Sequence, residues 1–153
     1  MKKISLLVIL AAFLVSCGPK KITEQQKTFP DKIWLADDNV IFEFPIADTS
    51  ATYDISLIVK HFANFPLDRV KLAFILQDPS GENRTSEHDL VLRNKEGKFL
   101  GKKRGEAIVM GFAIRNRYKF KAVGKAKVTL VNRLFSTTAS GLGAITLLVK
   151  KKN

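Results

Sequence analysis

Four cations recur at alternate positions late in the chain: Arg115, Arg117, Lys119 and Lys121, within Arg-Asn-Arg-Tyr-Lys-Phe-Lys. On an extended strand alternate side chains share a face. The four would therefore line up about 6–7 Å apart, with Tyr118, Phe120 and Ala122 on the other side. A guanidinium holds carboxylate or phosphate with two parallel hydrogen bonds, and an ammonium adds a point charge. The chemistry this row offers is anion recognition, and Lys102, Lys103, Arg104, Lys125 and Lys127 could extend it. The plain alternative is a solvent-facing row that serves solubility.

Other constellations carry less. His61 and His88 have no second ligand at a metal-binding spacing, and they read as ordinary surface or strand-end histidines. No Ser occupies a G-x-S-x-G elbow. Asp37 and Asp38 are adjacent in a turn, not opposed across a cleft as glycoside hydrolysis requires. Gly141-Leu142-Gly143 starts like a dinucleotide fingerprint, but Thr146 stands where the third glycine belongs. It reads as a turn entering a strand. These residues predict no enzyme, no metal and no cofactor.

The most specific chemistry lies at the start. Lys2 and Lys3 precede an apolar run from Ile4 to Val15, closed by Leu14-Val15-Ser16-Cys17. A basic segment, a short apolar segment and small residues at a cut form a secretion signal, too short to span a bilayer. The tetrapeptide resembles the bacterial lipobox at all four positions. That resemblance implies diacylation of the Cys17 thiol and cleavage before it, often with acylation of the new amino group. Cys17 is also the chain's single cysteine, so an acylated Cys17 leaves no internal disulfide. The expected organisation is residues 1–16 as signal peptide and 17–28 as lipidated cysteine and flexible tether. Residues 29–153 follow as one domain.

The whole chain carries 26 Lys and Arg against 14 acids, a net charge of +12. Without Lys2 and Lys3 the balance is 24 against 14, or +10. All the acids lie at or before Glu106, and ten Lys or Arg follow Ala107 with none. Such asymmetry favours an anionic partner. For an envelope protein this means anionic headgroups, acidic polysaccharide or an acidic protein face rather than nucleic acid.

The elements that must position these residues read as strands. Val40, Phe42, Phe44 and Ile46 alternate, as do Tyr53, Ile55, Leu57 and Val59. Val70–Leu76 repeats the pattern, and Asp78-Pro79-Ser80-Gly81 is a turn. Leu90 and Leu92 lead into a second turn at Asn94–Gly97. Further strands are expected over 108–112, 114–122, 128–131 and 145–149, with 133–143 as a loop. Many short strands separated by turns predict an all-β, antiparallel sandwich, immunoglobulin-like or jelly-roll-like, with a barrel as the alternative.

Beyond residue 28 the chain resembles the GldH lipoproteins of the Bacteroidetes gliding apparatus. The resemblance runs through Ile33-Trp34, Val40–Phe44, Ile46–Thr49, Tyr53-x-Ile55 and Pro79-x-Gly81. It continues through Gly97-Lys98-Phe99-Leu100-Gly101, similar to a family G-x-W-L-G with Phe for Trp. It implies a non-catalytic accessory lipoprotein of gliding motility, held to the membrane through Cys17 beside other motility lipoproteins or envelope proteins. No catalytic residue comes with it. Surface-exported lipoproteins of this bacterial group tend to carry acids just after the cysteine; with basic residues there instead, the resemblance implies an outer-membrane anchor facing the periplasm. The competing reading is a module for anionic glycan or lipopolysaccharide, unconnected with motility.

Overall fold

Strict alternation sets the strands that face the core. In the computed structural model, which describes residues 18–135 and 139–153, Val40, Phe42, Phe44 and Ile46 are buried while the residues between them are exposed. They form β2 (Val40–Ile46). The other strands among the described residues are β1 (Lys20–Thr28), β3 (Thr52–Phe62), β4 (Arg69–Gln77), β5 (Asn83–Val91), β6 (Lys102–Arg104), β7 (Ala107–Tyr118), β8 (Gly124–Asn132) and β9 (Leu142–Lys152). One 3₁₀ turn, Pro30–Lys32, follows β1.

Two antiparallel sheets result, with strand orders β1-β9-β3-β7-β6 and β2-β8-β4-β5. They pack face to face as the expected sandwich. Tyr53, Ile55, Leu57 and Val59 point inward from β3, and Val70, Leu72, Phe74 and Leu76 face them from β4. Burying each such side chain contributes about 1.5–3 kcal/mol, so the facing sheets hold one another. Trp34 closes one end. It stacks on Phe29 at 5.4 Å, and its indole N–H donates to the Asp38 carbonyl at 2.7 Å. Buried Asn132 donates to the Trp34 carbonyl at 2.8 Å and accepts from the Leu134 amide at 2.7 Å. The expected turns are present: the Gly81 amide bonds the Asp78 carbonyl, and the Gly97 amide bonds the Asn94 carbonyl.

Three expectations change. The signal peptide and Cys17 lie outside the described residues, but most of the expected tether does not. Lys20 to Thr28 is the edge strand β1, laddered to β9 from Lys20–Lys151 to Thr28–Ala144. Its sequence, KKITEQQKT, offers the core little beyond Ile22, which is why apolar periodicity does not reveal it. The backbone ladder with β9 supplies the pairing instead. The strands expected over 108–112 and 114–122 are one strand, β7, which stops at Tyr118. Its register against β3 shifts twice, between Tyr53 and Ser56, and Arg117 takes a left-handed conformation with φ 53°. Finally, polar β5 and the Lys-Lys-Arg strand β6 were not expected, because neither presents an apolar face.

Candidate functional site

The bulges in β7 decide what becomes of the basic row. Its alternation is lost after Ile114, and the four cations do not share a face. Arg115 turns toward the opposite sheet, donating at 2.8 Å to the Ser86 hydroxyl of β5 with its guanidinium 5.8 Å from the Phe74 ring. The Arg117 side chain is exposed, and its backbone N–H donates to Asp54 at 2.9 Å. Lys119 and Lys121 lie beyond the strand, in the connection to β8. The Lys121 amide donates to Asp78 at 2.9 Å and its ammonium pairs with Glu82. Burial opposes the ionised form of Asp78, yet the amides of Lys121 and Ser80 outweigh it and hold the carboxyl below its usual range. Among the described residues Arg117 and Lys119 thus have no ion-pair partner, whereas Arg115 and Lys121 are tied into the fold.

The Arg115 contact extends into a short relay. The Ser86 hydroxyl accepts from Arg115 and lies 2.9 Å from His88 Nε2, a hydrogen bond whose direction follows the His88 tautomer. A serine within hydrogen-bond reach of a histidine meets the first requirement of nucleophilic catalysis. The second, a group that orients the base, is missing among the described residues. Ser86 and His88 stand at i and i+2 on one strand face, and Glu87 points away by strand alternation. Burial and nearby Arg115 lower the His88 pKa, which agrees with a neutral ring that braces β5 against β7. Among the described residues, no three His, Cys, Asp or Glu side chains converge as a metal site would require.

His61 lies at a strand end, one of its two expected places, but not on the surface. It precedes the last residue of β3 and is fully buried. Its ring lies 5.2 Å from Phe99 and 6.2 Å from Phe65. Nδ1 faces the Phe62 carbonyl at 3.3 Å, which can only accept, so Nδ1 carries the proton. Among the described residues Nε2 has no partner, and neither has Nε of neighbouring Arg93. The Arg93 guanidinium covers Phe99 at 4.2 Å and donates to the Phe65 carbonyl at 2.9 Å. Burial, helped by the Arg93 charge, pushes the His61 pKa down. Nothing in the spacing of one histidine marks this cluster, because the ring joins through tertiary contacts alone.

A separate cavity of about 510 Å³ is lined by Thr28, Phe29, Asp31, Lys32, Lys60 and Phe62, with Gly143. Asp31 and Lys32 are both left-handed, with φ 53° and 59°, a conformation that is uncommon and costly for residues with a Cβ. That backbone carries the Lys32 ammonium to 4.0 Å above the Phe62 ring. The glycine pair enters β9 as a turn: Gly141 has φ 103°, and a Cβ there would lie 2.7 Å from the Phe65 nitrogen.

The model of one known family, described as GldH lipoprotein, matches residues 21–147. The chain belongs to the GldH lipoprotein family. A curated relative, the gliding motility lipoprotein GldH of Flavobacterium johnsoniae, is 24% identical over 100 residues. That match covers 65% of this chain and 62% of the relative, so it spans less than two thirds of the relative's length. The residues that carry the GldH resemblance are structural. Trp34 caps the core. Gly97 makes its turn with φ 78°, Phe99 seals His61 and Arg93, and a Cβ on Gly101 would meet the Val109 carbonyl at 2.7 Å. In this GldH-family chain the recognisable motif builds the fold.

Proposed function

We propose that this GldH-family lipoprotein is a non-catalytic accessory component of the gliding-motility machinery. In this reading it is acylated on Cys17 and held at the outer membrane, facing the periplasm. The observation that carries the reading is the family match across residues 21–147, directly behind the Leu-Val-Ser-Cys sequence. The named relative is a gliding motility lipoprotein, which supports the same role here. The motif residues serve packing, and among the described residues the Ser86–His88 pair lacks an orienting partner. Both support a scaffold that presents surfaces to other envelope proteins. A glycan-binding role remains a second reading, favoured by the cavity between Lys32 and Lys60. Deleting the gene in its native host and tracking single cells on glass tests the proposal. Lost gliding, restored by the wild-type gene, is expected. Normal gliding without the gene would overturn the motility role.

A further inference from the structure

The start of β1 at Lys20 changes where the domain must sit. An anchor on Cys17 was expected to hold the domain through a tether reaching residue 28, but only Gly18 and Pro19 separate Cys17 from the first strand. Three trans peptide links span at most about 11 Å. That is close to the screening length of about 8 Å at physiological ionic strength. The end of the sandwich nearest the lipid therefore lies within the electrostatic reach of the headgroups.

That pole is cationic by register. Lys20 faces Lys151, Lys151 faces Tyr53, and Tyr53 faces Tyr118, which places four strand ends in one row. Lys21 and Lys150 form the next pair inward. The carboxylates present are already engaged: Asp48 with Lys151 at 2.7 Å, Asp54 with Lys152 at 2.5 Å, and Glu82 with Lys121. Lys151 and Ser50 hold the Asp48 carboxyl far below its usual range. Among the described residues, Lys20, Lys150, Arg117 and Lys119 have no carboxylate within 4 Å. The connection from β7 to β8 ends at the same pole, and there Val123 is 62% exposed between Lys121 and Lys125. Lys121 and Lys125 are themselves paired, with Glu82 and with Glu43 at 3.2 Å, so among the described residues the unpaired charge near the tip is that of Arg117 and Lys119. An exposed apolar tip beside such cations is the composition of an interfacial contact.

We propose that this pole docks on the anionic headgroups of the bilayer that holds the lipid anchor, with Val123 entering the interface. The inference rests on the acylation of Cys17 proposed above. Acyl chains fix the protein to the membrane but leave it free to swivel. Headgroup contacts, each worth about fivefold in partitioning per cation, fix which way it points. β1 then stands away from the membrane, and its nine residues carry the Lys32–Lys60 cavity about 26 Å outward. Arg117 and Lys119, two members of the basic row, acquire a defined counterpart.

The test uses the native acylated protein in two kinds of vesicle, phosphatidylcholine alone and phosphatidylcholine with phosphatidylglycerol. Flotation and the mass of the N-terminal peptide first report the anchor. A pulse of amine-acylating reagent that cannot cross the bilayer then reads each lysine by mass spectrometry. On anionic vesicles Lys20, Lys119 and Lys150 should react about fivefold more slowly or less, relative to protein in detergent. Lys32, Lys60 and Lys95, at the opposite pole, should keep their rates. The combined substitutions Arg117→Glu, Lys119→Glu and Val123→Ser should restore the rates of Lys20 and Lys150 while flotation persists. Protein that floats without this protection, or is protected equally on neutral vesicles, overturns the docking. Protein that carries no acyl group and does not float overturns the anchor reading, and the docking with it.

Discussion

Replacing His61 with Leu should remove a measurable part of the protein's acid sensitivity. The imidazole is fully buried, its Nε2 has no partner among the described residues, and burial with nearby Arg93 depresses its pKa. A histidine held neutral in the fold takes up its proton more readily when unfolded, where its pKa is about 6.5. Its contribution is therefore fully present above pH 6.5 and is lost as pH falls below it. At pH 5.5 the unfolded chain gains RT ln 11, so the fold loses up to about 1.4 kcal/mol through this one group. His88 is shifted the same way but is only half-buried, so it adds less. Carboxylates with depressed pKa values lose their contribution only below about pH 4.5, outside this window. Urea unfolding at pH 7.5 and 5.5 measures the loss directly. The wild type should lose about 1 kcal/mol more than His61→Leu between the two pH values. The variant should also be no less stable than wild type at pH 7.5, because an unsatisfied buried nitrogen costs about 1–3 kcal/mol. Equal losses in the two proteins would refute the reasoning. So would a large loss of stability in the variant at pH 7.5, which would mean that Nε2 makes a contact the protein needs.

Other predictions follow from the same packing. Gly141→Ala should destabilise by several kcal/mol, since its Cβ would overlap the Phe65 backbone at a left-handed φ, whereas Gly111→Ala faces open space and should change the melting temperature little. Asn132→Ala should cost about 2–4 kcal/mol in chemical denaturation, because it leaves the Trp34 carbonyl and Leu134 amide without their partner. Arg115→Ala should cost about 1–2 kcal/mol through the lost bond to Ser86, and Lys119→Ala close to none, which separates the two within the former row. Hydrogen exchange should show slow amides at alternate positions from Thr23 to Thr28, those that ladder to β9, and rates of a free peptide throughout would restore the tether.

What the sequence revealed follows one physical rule. Period-two alternation announced β2 and the core-facing half of β3, because each strand buries one apolar face. β1, β5 and β6 are held chiefly by backbone ladders, and their polar sequences carry no such signal. The same rule explains the error over the basic row. Alternate residues share a face only while pairing is regular, and the bulges before Ser56 and the left-handed Arg117 end that regularity. His61 escaped because burial at a strand end depends on Phe65, Arg93 and Phe99, which arrive from other parts of the chain. The turns at Asp78–Gly81 and Asn94–Gly97 were legible, since they depend on local residues alone.

The central claim is that this GldH-family chain works at the membrane through Cys17. Complementing a deletion strain with Cys17→Ala, at protein levels matched to wild type, tests it most directly. The account predicts that wild type restores single-cell gliding and the variant does not. Full gliding with the unacylated chain would contradict it.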